Sequence, residues 1–82
     1  MSALHLEIIS ASGPVFSGQY FRVTVPCVDG DIGFMANHES VIAKLREGKV
    51  IIQDDKDAVV KEVDAKSGYA EMIDNKLIVL LD

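Results

Sequence analysis

The sequence predicts an all-β protein in which short strands form a sandwich or a barrel. Segments that alternate apolar and polar residues recur along the chain, and residues that favour turns separate them. The chain has 82 residues, which is enough for one domain and too few for a second core. No linker, low-complexity tract or internal repeat interrupts it, so we expect a single domain over residues 1–82.

The first half of the chain contains two predicted strands. Residues 4–9 alternate in character, and Ser12-Gly13-Pro14 then forms a turn because glycine and proline resist continued strand pairing. Residues 20–25 are the clearest half-buried strand, with an apolar side chain at every second position, and Pro26 ends it. Residues 29–33 contain two glycines and are predicted to form a loop.

The second half contains four further predicted strands and two turns. The acidic cluster Asp54-Asp55-Lys56-Asp57 turns the chain between the first two of these strands. Asp74-Asn75 joins the last two, since both residues tolerate the left-handed backbone of a tight hairpin. The four strands are residues 50–53, 58–63, 69–73 and 76–81.

Residues 39–46 allow two interpretations. Their apolar positions fit a two-turn amphipathic helix that Gly48 would stop, and helix propensity favours this choice. The same positions also fit a short strand with irregular ends. The residues alone leave the choice open.

The composition excludes several classes of protein. The net charge is −5 and the eight basic residues are scattered, so no cationic stripe is present for nucleic acid. The longest apolar run, residues 77–81, is far shorter than the roughly 20 residues that cross a bilayer. The first residues show no signal peptide, and the lone Cys27 fits a reducing cytoplasm. We therefore expect a cytoplasmic protein whose membrane contact is at most peripheral.

The last predicted strand is apolar on both sides. Leu77, Val79 and Leu81 fit a core, yet Ile78 and Leu80 lie on the opposite side of the strand. A small domain has little further interior in which to bury them. Either a neighbouring loop or a partner protein covers Ile78 and Leu80.

Residue types that occur in catalytic sites are present, but not in the patterns that such sites require. Ser67 lacks the glycine two residues earlier that a nucleophile elbow needs. Cys27 follows Pro26 at a strand end, where a packing role fits better than a reactive thiol. His5 and His38 have no cysteine or second histidine at zinc-ligand spacing. We predict no catalytic residue and no metal site.

The acidic and glycine-rich segments also fall short of known binding loops. Asp29-Gly30-Asp31 resembles the opening of a calcium loop, but Phe34 and Ser40 stand where such a loop has glycine and glutamate. No Gly-Lys-Ser/Thr follows these glycines, so they do not cradle phosphate. The Asp54–Asp57 run is a solvated turn or, as the sharper alternative, a weak cation site. No cofactor is predicted.

A series of short motifs, in its order and spacing, resembles one known family. The motifs are Phe16-Ser17-Gly18, Gly30-Asp31-Ile32-Gly33-Phe34, His38, Leu45 with Gly48, Ser67-Gly68 with Glu71, and the closing segment 75–82. From Leu4 onward the chain resembles the N-terminal domain of the epsilon subunit of F-type ATP synthases, called delta in mitochondria. The resemblance implies a flattened antiparallel β-sandwich of short strands, with extended chain around residues 41–45.

The chain departs from the family pattern around the histidine. The family usually has Pro-Gly before it and a proline two residues after it, whereas this chain has Ala36-Asn37 and Ser40. The fixed backbone angle of proline is therefore missing from this loop. Asn37 can still supply the left-handed conformation of the family's glycine. Asp31 replaces a glutamate, which keeps the charge and shortens its reach.

The resemblance implies a non-catalytic part of the central stalk, which couples the gamma subunit to the membrane rotor ring. Such a subunit is held at the cytoplasmic face of the inner membrane through the complex. Many bacterial members continue into a two-helix domain that senses ATP and inhibits hydrolysis, and we expect this hairpin to be absent here. The implied ring contacts are Asp29, Gly30, Asp31 and Ile32, and the implied gamma contacts are His38, Val41, Ile42 and Ala43.

Two functions from other classes compete with this one. One is a free-standing β-sandwich that binds a small ligand or a peptide, which a lack of affinity for gamma would favour. The other is a small hydrolase that uses Ser67 or Cys27, which loss of activity on their replacement would favour.

Overall fold

Nine strands form the fold in the computed structural model, which describes residues 3–82. Turns and loops connect them, and none of the described residues belongs to a helix that could cross a membrane. The strands are β1 (Leu4–Ser10), β2 (Gly13–Tyr20), β3 (Arg22–Val25), β4 (Ile32–Phe34), β5 (Val41–Lys44), β6 (Gly48–Gln53), β7 (Val59–Ala65), β8 (Gly68–Ile73) and β9 (Lys76–Leu81).

The strands form two sheets that enclose the core. The five-stranded sheet has the order β2-β1-β9-β8-β5, and the four-stranded sheet has the order β4-β3-β6-β7. Neighbouring strands are antiparallel except for β1 and β9, which run parallel with Leu6 beside Leu77. The predicted all-β sandwich is confirmed. The parallel pair is an addition that local sequence patterns do not reveal.

The core consists of alternate residues from the strands of both sheets. Side chains point to opposite sides at successive positions, so alternate residues are buried in β1, β3, β6, β8 and β9. Among residues 3–82 no polar or charged residue is buried, so the interior contains no charge that would need a partner. The largest fully buried side chains are Phe34, Leu4, Leu6, Ile8, Leu45, Ile52, Met72, Leu77, Val23, Val25, Val50 and Val79.

Two strands replace segments that the sequence predicts to be a turn and a loop. β2 begins at Gly13, inside the predicted turn, and β4 begins at Ile32, inside the predicted loop. Pro14 fits a strand here because β2 lies at the edge of its sheet, where a missing N–H costs little. The single strand predicted over residues 20–25 is interrupted at Phe21, where β2 has ended and β3 has not begun.

The segment over residues 39–46 is extended, because β5 pairs with β8. The helical interpretation is wrong, since pairing at the sheet edge outweighs a weak helix propensity. The hairpin at Asp74-Asn75 is confirmed. These two residues have φ angles of 49° and 64°, which are the values of a type I′ turn.

An ion pair on the outer surface joins the two parallel strands. The Nζ atom of Lys76 lies 2.9 Å from Oε1 of Glu7. Its hydrogen bond and positive charge lower the pKa of Glu7 below the ordinary value of 4.5. A carboxylate whose pKa is lowered by folding stabilises the folded state above its unfolded pKa, and this stability is lost as the pH falls through the folded pKa.

We therefore expect Glu7→Gln to melt at a temperature that depends less on pH than that of the wild type below pH 4.5. Thermal melts of both proteins across acidic pH test this expectation. Lys76→Gln is the matched second variant, because it removes the same ion pair by replacing its basic partner. Equal pH slopes for all three proteins would contradict the role given to this pair.

Candidate functional site

The outer side of the five-stranded sheet, turned away from the core, carries neighbouring apolar side chains with charged residues between and beside them. Ile9, Leu80 and Tyr69 lie side by side on three neighbouring strands. Glu7, Ile78, Glu71 and Ile42 form the next row, in which two carboxylates flank Ile78. With Ile73, the apolar members of these rows are called the apolar face: Ile9, Ile42, Tyr69, Ile73, Ile78 and Leu80.

The apolar face is accessible to a partner. Ile42 is 73% exposed and Leu80 is 47% exposed, while Ile78 is half-buried. Within residues 3–82, therefore, no loop closes over Leu80. Exposed apolar side chains that are contiguous on one surface mark an interaction site, whereas scattered ones do not.

The outer side of the four-stranded sheet is more polar. Its cross-strand contacts are polar, as shown by Lys49, whose Nζ lies 3.0 Å from Oδ1 of Asp64. Its large apolar members are half-buried Ile51 and two exposed residues at the start of the edge strand β7, Val59 and Val60. The other outward residues include Arg22, Thr24, Gly33, Lys49, Gln53, Glu62 and Asp64. The side that carries the apolar face therefore suits a protein partner better than the outer side of the four-stranded sheet does.

The four residues predicted to contact gamma divide into two groups. Val41 and Ala43 are half-buried and pack against the core, whereas Ile42 points outward as part of the apolar face. The ring of His38 packs edge-on against buried Phe34 with 4.9 Å between ring centroids. A groove of about 350 Å³ runs beside β5, and its lining residues are Ser40, Val41, Ile42, Glu71, Met72 and Ile73.

The four residues predicted to contact the rotor ring form an exposed corner. Asp29, Gly30 and Asp31 are exposed, and Ile32 is half-buried at the start of β4. Gly30 has a φ of 120° and donates its N–H to the Cys27 carbonyl at 3.0 Å, which closes the turn.

The two carboxylates of this loop differ in their surroundings. Arg46 donates a hydrogen bond of 2.5 Å to Oδ1 of Asp31, whereas Asp29 has no ion-pair partner among residues 3–82. No local sequence pattern points to Arg46, because 15 residues separate it from Asp31. Asp29 is therefore the carboxylate that is free to meet a basic partner.

Backbone hydrogen bonds connect this loop to the end of β5. Val28 donates its N–H to the Lys44 carbonyl at 2.9 Å, and Arg46 donates to the Pro26 carbonyl at 3.0 Å. Between them, buried Cys27 and Leu45 form a bridge. The loop that carries Asp29 and Asp31 is thus attached directly to the strand that carries Ile42.

The groups considered for catalysis have structural surroundings. Burial and, to a smaller extent, the charge of Asp31 raise the pKa of the Cys27 thiol, which lowers its reactivity. The Ser67 hydroxyl donates to Oδ2 of Asp82 at 2.8 Å. Within the part of the chain that the structure describes, no three His, Cys, Asp or Glu side chains are grouped to hold a metal ion.

Comparison with known proteins places this geometry in a family. The family described as "ATP synthase, Delta/Epsilon chain, beta-sandwich domain" matches residues 3–82. The ATP synthase epsilon chain of Caulobacter vibrioides is 34% identical over the whole chain, which spans 93% of that relative. The epsilon chain of Campylobacter curvus is 37% identical, and there the chain spans 63% of the relative, less than two thirds of its length.

Solved structures share the fold at low sequence identity. A chain of the Euglena gracilis mitochondrial ATP synthase, in a cryo-EM structure of OSCP, F1 and the c-ring, superposes with a TM-score of 0.87 at 14% identity. The match covers 99% of this chain and 51% of that one. A chain of the Tetrahymena thermophila mitochondrial ATP synthase central stalk and c-ring gives a TM-score of 0.75 at 13% identity, over 94% of this chain and 61% of that one. The protein belongs to the β-sandwich domain family of the ATP synthase delta and epsilon chains.

Proposed function

We propose that this protein is a non-catalytic subunit of the central stalk of an F-type ATP synthase. In this role it couples the gamma subunit to the membrane rotor ring, so that proton-driven rotation supports ATP synthesis. It is held peripherally at the cytoplasmic face of the inner membrane through the complex, without a cofactor of its own. The observation that carries the proposal is the apolar face, which a partner covers in a stable assembly.

The gamma subunit is the partner that we assign to the apolar face. Ile42 lies both in this face and in the set of residues that family resemblance directs toward gamma. The groove beside β5 is continuous with the face, so one partner surface can fill both. We therefore assign the groove to the same contact and propose no separate ligand for it.

The corner around Asp29 is the surface that we assign to the rotor ring. Its exposed carboxylate suits a basic side chain of the ring, and the hydrogen bonds between residues 26–28 and 44–46 connect the corner to β5. Load applied at the ring contact then passes to the gamma contact through backbone hydrogen bonds and buried side chains, which deform little.

Reconstitution tests the proposal. ATP synthase depleted of its epsilon subunit is combined with this protein, and proton pumping driven by ATP hydrolysis is measured in vesicles. We expect the protein to restore coupling and to bind isolated gamma. Failure to bind gamma and to restore pumping would contradict the proposal.

Reversing the charge of the ring-facing corner should weaken coupling without unfolding the domain. We expect Asp29→Lys to pump less than the wild type at low salt, because a positive charge then faces the basic partner. An exposed ion pair contributes only about 0–1 kcal/mol, so the loss should be a few-fold and should shrink as salt rises. The double variant Asp29→Lys/Asp31→Lys should lose more proton pumping than the single variant, since the second change also removes the ion-pair partner of Arg46.

Asp55→Lys is the control for net charge, because Asp55 lies in the exposed turn between β6 and β7. Thermal melts accompany the pumping assay to separate attachment from folding. If both Asp29 variants melt normally and pump like the Asp55 control at every salt concentration, these carboxylates are ordinary turn residues.

A further inference from the structure

A side chain in the β8–β9 turn reaches across to the loop that carries His38. Oδ1 of Asn75 accepts a hydrogen bond of 2.9 Å from the backbone N–H of Asn37. Its Nδ2 donates to the Ala3 carbonyl at 3.0 Å, and its own carbonyl accepts from the N–H of His5 at 3.0 Å. One residue therefore connects three segments that are distant in the sequence.

The backbone of the loop that Asn75 contacts forms few other hydrogen bonds, although the His38 ring packs against Phe34. Residues 35–38 form a turn in which the His38 N–H donates to the Met35 carbonyl at 3.2 Å. Asn37 occupies the third position of this turn with a φ of 66°, and the turn itself offers no acceptor for its N–H. The prolines that fix this loop in the family pattern are absent, since Ala36 and Ser40 occupy their positions. The Asn75 oxygen supplies the missing partner.

We propose that Asn75 is a positioning residue that clasps the 35–38 turn and thereby sets the orientation of His38 and the start of β5. The clasp itself is inferred from the hydrogen bonds of Asn75, and its effect on binding rests on the proposed contact between this region and the gamma subunit. A turn held in one orientation before binding loses less conformational entropy when the partner docks. The hydrogen bond therefore increases affinity for gamma although Asn75 need not touch gamma.

Substitutions in the β8–β9 turn separate the effect of the Asn75 side chain from that of the turn backbone. Asn75→Gly removes both side-chain hydrogen bonds, while Asp-Gly remains a favoured pair for a type I′ turn. Asn75→Asp keeps an acceptor oxygen for the Asn37 N–H but cannot donate to the Ala3 carbonyl. Asp74→Gly is the matched control, because Asp74 also has a positive φ of 49° but forms no side-chain hydrogen bond within residues 3–82.

Amide hydrogen exchange of the full chain, followed by NMR, reports the clasp directly. We expect the Asn37 N–H to exchange about three- to tenfold faster in Asn75→Gly, which corresponds to the loss of one exposed hydrogen bond. Asn75→Asp and Asp74→Gly should stay near the wild type. Affinity for isolated gamma should fall by a similar factor in Asn75→Gly alone.

Two outcomes would overturn the proposal. Unchanged exchange at Asn37 in Asn75→Gly would show that the side chain does not hold the turn. Faster exchange with unaltered affinity for gamma would show that the clasp does not position the binding surface. If the wild type itself does not bind gamma, the proposed function is wrong, and the exchange measurement then decides the clasp on its own.

Discussion

Replacement of Leu80 by lysine is expected to weaken binding to the gamma subunit by about 30-fold or more. Leu80 lies on β9, in the middle of the five-stranded sheet, with Ile9 on one side and Tyr69 on the other. Residues at the centre of an apolar interface carry most of its binding energy, and a hot spot contributes about 2 kcal/mol or more. A lysine there would also place a charge in a surface that the partner removes from water.

The fold itself should tolerate this change, because the side chain of Leu80 is 47% exposed and faces away from the core. Val60→Lys is the matched control, since Val60 is 51% exposed on β7 at the edge of the other sheet. Binding measured by calorimetry, together with a thermal melt of each variant, separates affinity from stability. If the Leu80 and Val60 variants bind gamma with equal affinity, the apolar face is not part of the interface.

Replacement of Gly68 by alanine is expected to destabilise the domain by roughly 3 kcal/mol or more, which lowers the Tm by about 10 °C or more. Gly68 has a φ of 132°, a backbone angle that residues with a side chain rarely adopt, and it is buried at the start of β8. A Cβ atom at this position would overlap the carbonyl oxygen of Leu80 and lie 2.9 Å from the carbonyl carbon. Relief requires movement of backbone in the centre of the sheet, because Gly68 is paired with Leu81.

Gly13→Ala separates the cost of backbone strain from the cost of overlap between the added Cβ atom and its neighbours. Gly13 has a similar φ of 126°, but a Cβ atom there would meet no atom within 4 Å. Its replacement should cost only the backbone strain, about 1–3 kcal/mol. Thermal or denaturant unfolding of the two variants measures the difference. If both unfold at the same midpoint, the close approach of the Leu80 carbonyl does not limit stability at Gly68.

The elements that the sequence predicts best are those whose two sides differ in polarity. The residues of β1 and β3 alternate regularly in the sequence, and alternate residues of both strands are buried in the structure. β2 and β4 are missed because glycine and proline mask a strand at a sheet edge, where few ladder hydrogen bonds are required. The helical interpretation of residues 39–46 fails because β8 offers a pairing partner that no local pattern reveals.

Part of the candidate site can be predicted from the sequence, but the contacts between its residues cannot. The unexplained apolar positions Ile78 and Leu80 lead to the apolar face, yet Ile9 and Tyr69 join it only through strand pairing. Likewise, the side chain of Asn75 meets Asn37 across 38 residues of sequence. These contacts depend on tertiary topology, and the residue types involved are also common in ordinary turns.

The parallel pairing of β1 with β9 determines when the fold can be completed during synthesis. The strands of the four-stranded sheet all lie within residues 22–65, so that sheet can assemble as soon as those residues have left the ribosome. β1 emerges first but cannot complete its pairing until residues 76–81 are released, and until then one edge of β1 exposes free backbone groups. Closing such a long loop is slow, so we expect late, rate-limiting insertion of β9 between β1 and β8. A nascent chain stalled before β9 would therefore be vulnerable to proteases and to strand-mediated aggregation.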